Sequence, residues 1–91
     1  MPTRLLLADD PVVVREGLKI LLLNEDCEIV AAASDGLEAV EIAESLGPDV
    51  AILDIAMPLL NGIDAARQIH AASPRTKVIL LTMHKEEFKL R

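Results

Sequence analysis

The chain has 91 residues, which bounds it to one small domain, and 52% of them are hydrophobic with Phe88 as the single aromatic, so any core is aliphatic. Fifteen acids against nine bases give a net charge of −6. That is a poor match for nucleic acid, which is held mainly through Lys and Arg contacts to phosphate. No apolar run approaches the roughly 18 residues that span a bilayer, and the acids after "MPTRLLLA" make a poor signal peptide. Cys27 is alone, so no internal disulfide forms and a reducing compartment is expected. Together these features point to the cytoplasm and away from membranes.

Two kinds of segment alternate along the chain. "TRLLLA" (3–8) is short and apolar and ends in acids, as a buried strand does. "VVVREGLKILLL" (12–23) reads as a helix with Val13, Leu18, Leu21 and Leu22 repeating around Arg15, Glu16 and Lys19. "CEIVAAA" (27–33) reads as a second strand. "DGLEAVEIAESLG" (35–47) reads as a helix, with Leu37, Val40 or Ala39, Ile42 or Ala43, and Leu46 on one face. Gly47 and Pro48 stop it. "VAILD" (50–54) is a third strand, "GIDAARQIHAAS" (62–73) a helix with Ile63, Ala66 and Ile69 or His70 in register, and "KVILLT" (77–82) a fourth strand. "HKEEFKLR" (84–91) is polar and helix-prone.

Strands separated by helices of this length imply βαβ crossovers and a parallel sheet, and near-continuous apolar runs suit strands covered on both faces. The expected fold is therefore α/β, a doubly wound parallel sheet in three layers. In such sheets ligands bind outside the carboxyl ends of the strands, where the strand order reverses.

That rule gives Asp54 a meaning. The first strand ends at Asp9 and Asp10, the third at Asp54 and the fourth at Thr82, all at one edge of the sheet. Neighbouring strands lie about 5 Å apart, so the three carboxylates fall in a small volume and repel unless a cation sits among them. Oxygen-only donors at a shallow, partly hydrated site suit Mg²⁺. The plainer reading makes Asp10 a helix cap and Thr82 an ordinary strand end. For Asp54 a cap is the weaker explanation, because "IAMPLLNG" separates it from the next helix. His70 and His84 lack metal-ligand companions and read as surface or boundary residues.

At these residues the chain resembles the receiver domains of two-component response regulators. The matching features are "ADD" (8–10), "ILDIAMPLLNGID" (52–64) and "VILLTMH" (78–84). It is most similar to the NarL/FixJ receivers that precede a LuxR-type DNA-binding domain. The resemblance implies a flavodoxin-like (CheY-like) strand order of 2-1-3-4-5 and phosphoryl transfer from a histidine kinase. It makes Asp54 the phosphoacceptor and Thr82 the switch hydroxyl. It gives Mg²⁺ the ligands Asp10, Asp54 and the Ala56 carbonyl, with Asp9 acting through bound water. DNA binding would reside in an output domain outside this chain. Such a domain is an acceptor in its own phosphorylation and dephosphorylation rather than a conventional enzyme.

Two departures from the family pattern stand out. Pro11 occupies the position of a histidine that commonly follows the paired acids, and Val12 that of the next proline. Receivers also continue through a fifth strand bearing a lysine and an aromatic switch residue. Residues 1–91 are thus expected to be a receiver domain lacking strand five and helix five, with Lys85 and Lys89 outside the family's lysine motif. An open fourth-strand edge, or exchange of the segment holding Phe88 and Leu90, is expected to permit a homodimer. The alternative class is a pseudo-receiver that binds partners without phosphorylation. An aspartyl phosphohydrolase would need an aspartate where Ala56 stands. A flavin carrier would need glycines and hydroxyls where Asp9, Asp10 and Pro11 follow the first strand.

Overall fold

The computed structural model describes residues 2–8, 10–23 and 26–81. The elements run β1 (Thr3–Ala8), α1 (Pro11–Leu23), β2 (Cys27–Ala33), α2 (Gly36–Leu46), β3 (Val50–Asp54), α3 (Gly62–Ala72) and β4 (Lys77–Leu81). Each falls on a run that the sequence marks. The helix α1 begins one residue earlier than its apolar periodicity indicates. Proline has no N–H to lose at a first helical position, and its fixed φ suits the helix there.

The four strands form one parallel sheet in the order β2-β1-β3-β4, as expected. The order reverses at β1. Right-handed crossovers leaving in opposite directions put their helices on opposite faces, so α1 covers one face while α2 and α3 pack together on the other. One irregularity marks the β2 edge: Leu5 pairs with Ile29 but Leu6 with Ala31, leaving Val30 as the extra residue of a bulge.

The central strands carry the core. Leu5 to Ala8 and Ala51 to Asp54 are buried, together with Val13, Ala39, Ala43, Ala65 and Ile69. Burying a large aliphatic side chain contributes roughly 1.5–3 kcal/mol, so these two strands supply much of the driving force.

The helix faces differ from the periodicity reading. In α1 the buried residues are Val13 and Gly17, with Ile20 and Leu21 partly covered, whereas Leu18 and Leu22 are 48% and 84% exposed. Leu37 and Leu46 of α2 and Ile63 of α3 are also exposed, and the buried positions are Gly36, Ala39, Ala43, Gly62, Ala65 and Ile69. Close approach selects the small residues, because helices packed tightly on a sheet and on each other leave little room at the contact line. His70 lies exposed on α3, as expected.

Candidate functional site

The site forms where β1 and β3 end. Asp54 is the last residue of β3 and only 6% exposed. A buried carboxylate needs a donor, and the Ala56 N–H supplies one to Asp54 Oδ1 at 3.0 Å. Asp54 pairs in register with Leu81 of β4, and the Ile55 N–H continues the ladder to the Leu81 carbonyl at 3.1 Å. The carboxylate is therefore held at the end of a central strand that is paired along its whole length with β4.

Asp10 follows β1 after one intervening residue. Its Oδ1 accepts the Val12 N–H at 2.9 Å and the Val13 N–H at 3.4 Å, so it caps α1. The capping reading and the ligand reading of Asp10 are compatible, since Asp10 also lines the cavity that Asp54 enters. That cavity, about 180 Å³, is further bounded by Ala56, Ser34, Met57 and Pro58.

The loop after β3 is tightly folded. The Gly62 N–H donates to the Ile55 carbonyl at 2.8 Å, and the Leu60 N–H to the Pro58 carbonyl at 2.7 Å. The latter bond closes a three-residue turn around Leu59, which is 76% exposed with φ of 66°. A leucine in that region is strained, at a cost of order 1–3 kcal/mol that the surrounding bonds must offset. Asn61 then caps α3, its side-chain oxygen accepting the Asp64 N–H at 2.9 Å. The Pro58 carbonyl also accepts the Gly36 N–H at 3.3 Å, which ties the start of α2 to this loop.

Ser34 was not evident as a site residue from chemistry alone. The available signal was the Asp35-x-x-Glu38 spacing, a capping-box pattern that fixes the start of α2 and so puts Ser34 just past β2. Asp35 Oδ1 accepts the Glu38 N–H at 2.8 Å. Glu38 Oε1 in turn accepts the Ser34 N–H at 2.6 Å and the Ser34 hydroxyl at 2.7 Å. The backbone bond first, then the hydroxyl, hold the Glu38 carboxyl below its ordinary range.

The structure thus brings together Asp10, Asp54 and Ala56 of the expected residues. Asp9 and Thr82 lie outside the described residues, as do His84, Lys85, Phe88, Lys89 and Leu90. Among the described residues no group of three or more His, Cys, Asp or Glu side chains converges as a metal cluster. Two carboxylates on one small cavity, with Ala56 beside them, are still oxygen donors of the kind that suits Mg²⁺. A larger opening of about 670 Å³ lies at the amino end of the strands, between Arg4, Gly47, Asp49 and Arg75. There the Arg4 guanidinium donates to the Gly47 carbonyl at 3.0 Å and the Arg4 backbone N–H to the Asp49 carboxylate at 2.8 Å, contacts that fasten β1 to the α2–β3 turn.

Comparison with known proteins agrees with this geometry. The sequence model of the response regulator receiver domain matches residues 5–91. The transcriptional regulatory protein LnrK of Bacillus subtilis is 40% identical over 84 residues, covering 91% of this chain and 38% of LnrK. The signal receiver domain of NarL from Mycobacterium tuberculosis superposes with a TM-score of 0.76 at 33% identity, over 91% of this chain and 68% of that one. The CheX–CheY–BeF3–Mg²⁺ complex of Borrelia burgdorferi gives a TM-score of 0.75 at 28% identity, over 99% and 69%. This chain spans little more than a third of such transcriptional regulators, 38% of LnrK and 36% of DegU from Brevibacillus brevis.

Proposed function

This chain belongs to the response regulator receiver domain family, and on that footing we propose that it accepts a phosphoryl group on Asp54 from a histidine kinase. The observation that carries the proposal is the placement of Asp54: buried at the end of a central strand, yet opening onto the cavity that Asp10 and Ala56 also line. The Asp54 oxygen that does not accept the Ala56 N–H attacks phosphorus. The new P–O bond forms as the P–N bond of the donor phosphohistidine breaks, and its electron pair leaves on the imidazole. The Ala56 N–H orients the carboxylate for that attack.

Asp10, Asp54 and the Ala56 carbonyl would hold Mg²⁺, with Asp9 assisting. When bound, the ion supplies positive charge for the phosphoryl oxygens. A Mg²⁺ ion accompanies the beryllofluoride complex of the structurally similar Borrelia CheY. Thr82 would serve as the switch hydroxyl. The chain is the acceptor in its own reaction, works in the cytoplasm, and passes its state to a DNA-binding output outside this sequence. Its net charge of −6 supports leaving DNA contact to another domain.

A second reading, a receiver that binds partners without being phosphorylated, draws on the commitment of Asp10 to the α1 cap. Acetyl phosphate with Mg²⁺ separates the two. Intact-mass spectrometry is expected to show a gain of about 80 Da in the wild-type chain and none in Asp54→Asn. No gain in wild type, or an equal gain in the variant, overturns the assignment.

A further inference from the structure

The cavity holds one hydroxyl among its described side chains, and neither the family match nor the acceptor chemistry uses it. Ser34 shares the cavity with Asp10 and Asp54, one residue beyond the end of β2. Its side chain donates to Glu38 Oε1 at 2.7 Å, and its N–H donates to the same oxygen at 2.6 Å. One carboxylate oxygen thus takes two donors from one residue. The backbone bond alone satisfies the geometry of the α2 start, so the hydroxyl is the dispensable member of the pair.

Sheet geometry brings this hydroxyl within reach of a group on Asp54. Ala33 pairs with Ala8, and Leu7 pairs with Ile52, so β2 and β3 flank β1 with their ends at nearly one level. Two strand spacings put the backbones of Ser34 and Asp54 roughly 10 Å apart. Ser34 is exposed and its hydroxyl faces Glu38, so it must turn from there; a phosphoryl group carried on Asp54 and a serine side chain turned toward it together span that gap. The Ala56 N–H is already engaged by the carboxylate, so a tetrahedral anion in the cavity lacks described side-chain donors other than Ser34. A dianionic phosphoryl oxygen is a stronger acceptor than the solvated Glu38 carboxylate.

We propose that Ser34 is a phosphoryl contact: on modification of Asp54 its hydroxyl leaves Glu38 and donates to a phosphoryl oxygen. The transfer reports the state of Asp54 to the first turn of α2, because Glu38 keeps only the backbone bond. The bond also stabilises the acyl phosphate against water. This inference rests on Asp54 being the acceptor.

The test uses the 91-residue chain with Mg²⁺ and beryllofluoride as the phosphoryl probe. Nuclear magnetic resonance of the Glu38 carboxyl carbon and the Ser34 amide is recorded at fixed pH, with and without probe. Both signals are expected to move in the wild type and in Ser34→Thr, which keeps the hydroxyl. In Ser34→Ala the Glu38 carbon already sits at its shifted position and barely responds. After acetyl phosphate labelling, the acyl phosphate of Ser34→Ala is expected to decay roughly three to ten times faster than that of wild type, with Ser34→Thr restoring the lifetime. Normal labelling with an unmoved Glu38 carbon and equal lifetimes overturns the Ser34 role while leaving Asp54 as acceptor. Absence of labelling in the wild type overturns both.

Discussion

Gly62 is pressed against the backbone of Asp54. A Cβ at Gly62 would overlap the Asp54 carbonyl oxygen and stand 2.9 Å from the Ile55 Cα. Nothing flexible lies in the way, only the strand that presents the carboxylate. Gly62→Ala is therefore expected to destabilise by about 3 kcal/mol, read from urea unfolding. Gly36→Ala should behave alike, because its Cβ would overlap the Leu60 carbonyl. Gly17→Ala is the control: its Cβ meets the Leu7 side-chain tip at 2.7 Å, a group that can turn aside. Its loss should be well below that of the other two, since alanine also gains about 1 kcal/mol in helix propensity.

Thr76 is buried, and its hydroxyl joins two elements. It donates to the buried Pro48 carbonyl at 2.6 Å and meets Ser73 Oγ at 2.7 Å. Thr76→Val keeps the shape and removes the donor, leaving the carbonyl without it. A loss of about 1–3 kcal/mol in thermal or urea unfolding is expected, and an unchanged stability would show that the carbonyl is satisfied otherwise.

Glu38 predicts a pH response at the start of α2. Bonds from Ser34 lower its folded pKa below the ordinary value of 4.5. A lowered carboxyl contributes stability that is present above the unfolded value and is lost as pH falls through the folded one. Amide exchange at Ser34 is expected to accelerate over that acid window in wild type. In Glu38→Gln, which cannot titrate there, the acceleration should vanish.

Asp10 caps α1 and, under the proposed function, also holds Mg²⁺, and one substitution separates the two. Asn caps helices as well as Asp does, so Asp10→Asn should leave stability without metal within about 0.5 kcal/mol. It removes an anionic oxygen from the cavity, so Mg²⁺ affinity should fall at least about tenfold in a titration. A matched loss of stability and affinity would show that the α1 cap, and not metal binding, is what Asp10 provides.

The α1 surface offers a test of the helix faces. Leu22→Gln changes a side chain that is 84% exposed and should shift stability by less than about 0.5 kcal/mol. Val13→Ala empties a fully buried position and should cost roughly 2 kcal/mol in the same unfolding assay.

That contrast shows where the sequence could be read and where it could not. Strands such as "VAILD" are bounded by polar or Gly/Pro turns and have one plausible length, so their limits and their common carboxyl edge followed directly. Asp54 and Asp10 met there because strand ends in a parallel sheet lie at one level. In α1, apolar residues occupy nearly every side, so periodicity selects no single face, and the tight contact goes to Gly17 rather than Leu18. Glycine reads as a helix weakness in one dimension and as room for a neighbour in three. Ser34 was hidden for a similar reason: its importance comes from the reach of β2 across β1, a distance no local pattern records.

The pairing of β1 with β3 has a consequence for where a cation acts on the fold. Arg4 bonds to Asp49 across a sequence separation of 45 residues, and the same pairing brings Asp10 and Asp54 together. The β1–α1–β2 unit needs no such closure. Within it Asp10 caps α1 with no carboxylate opposite. Like-charge repulsion between the two carboxylates arises only where β3 lies beside β1. A divalent cation held between them would therefore favour the closed sheet, and its effect would fall on the β1–β3 pairing rather than on the β1–α1–β2 unit.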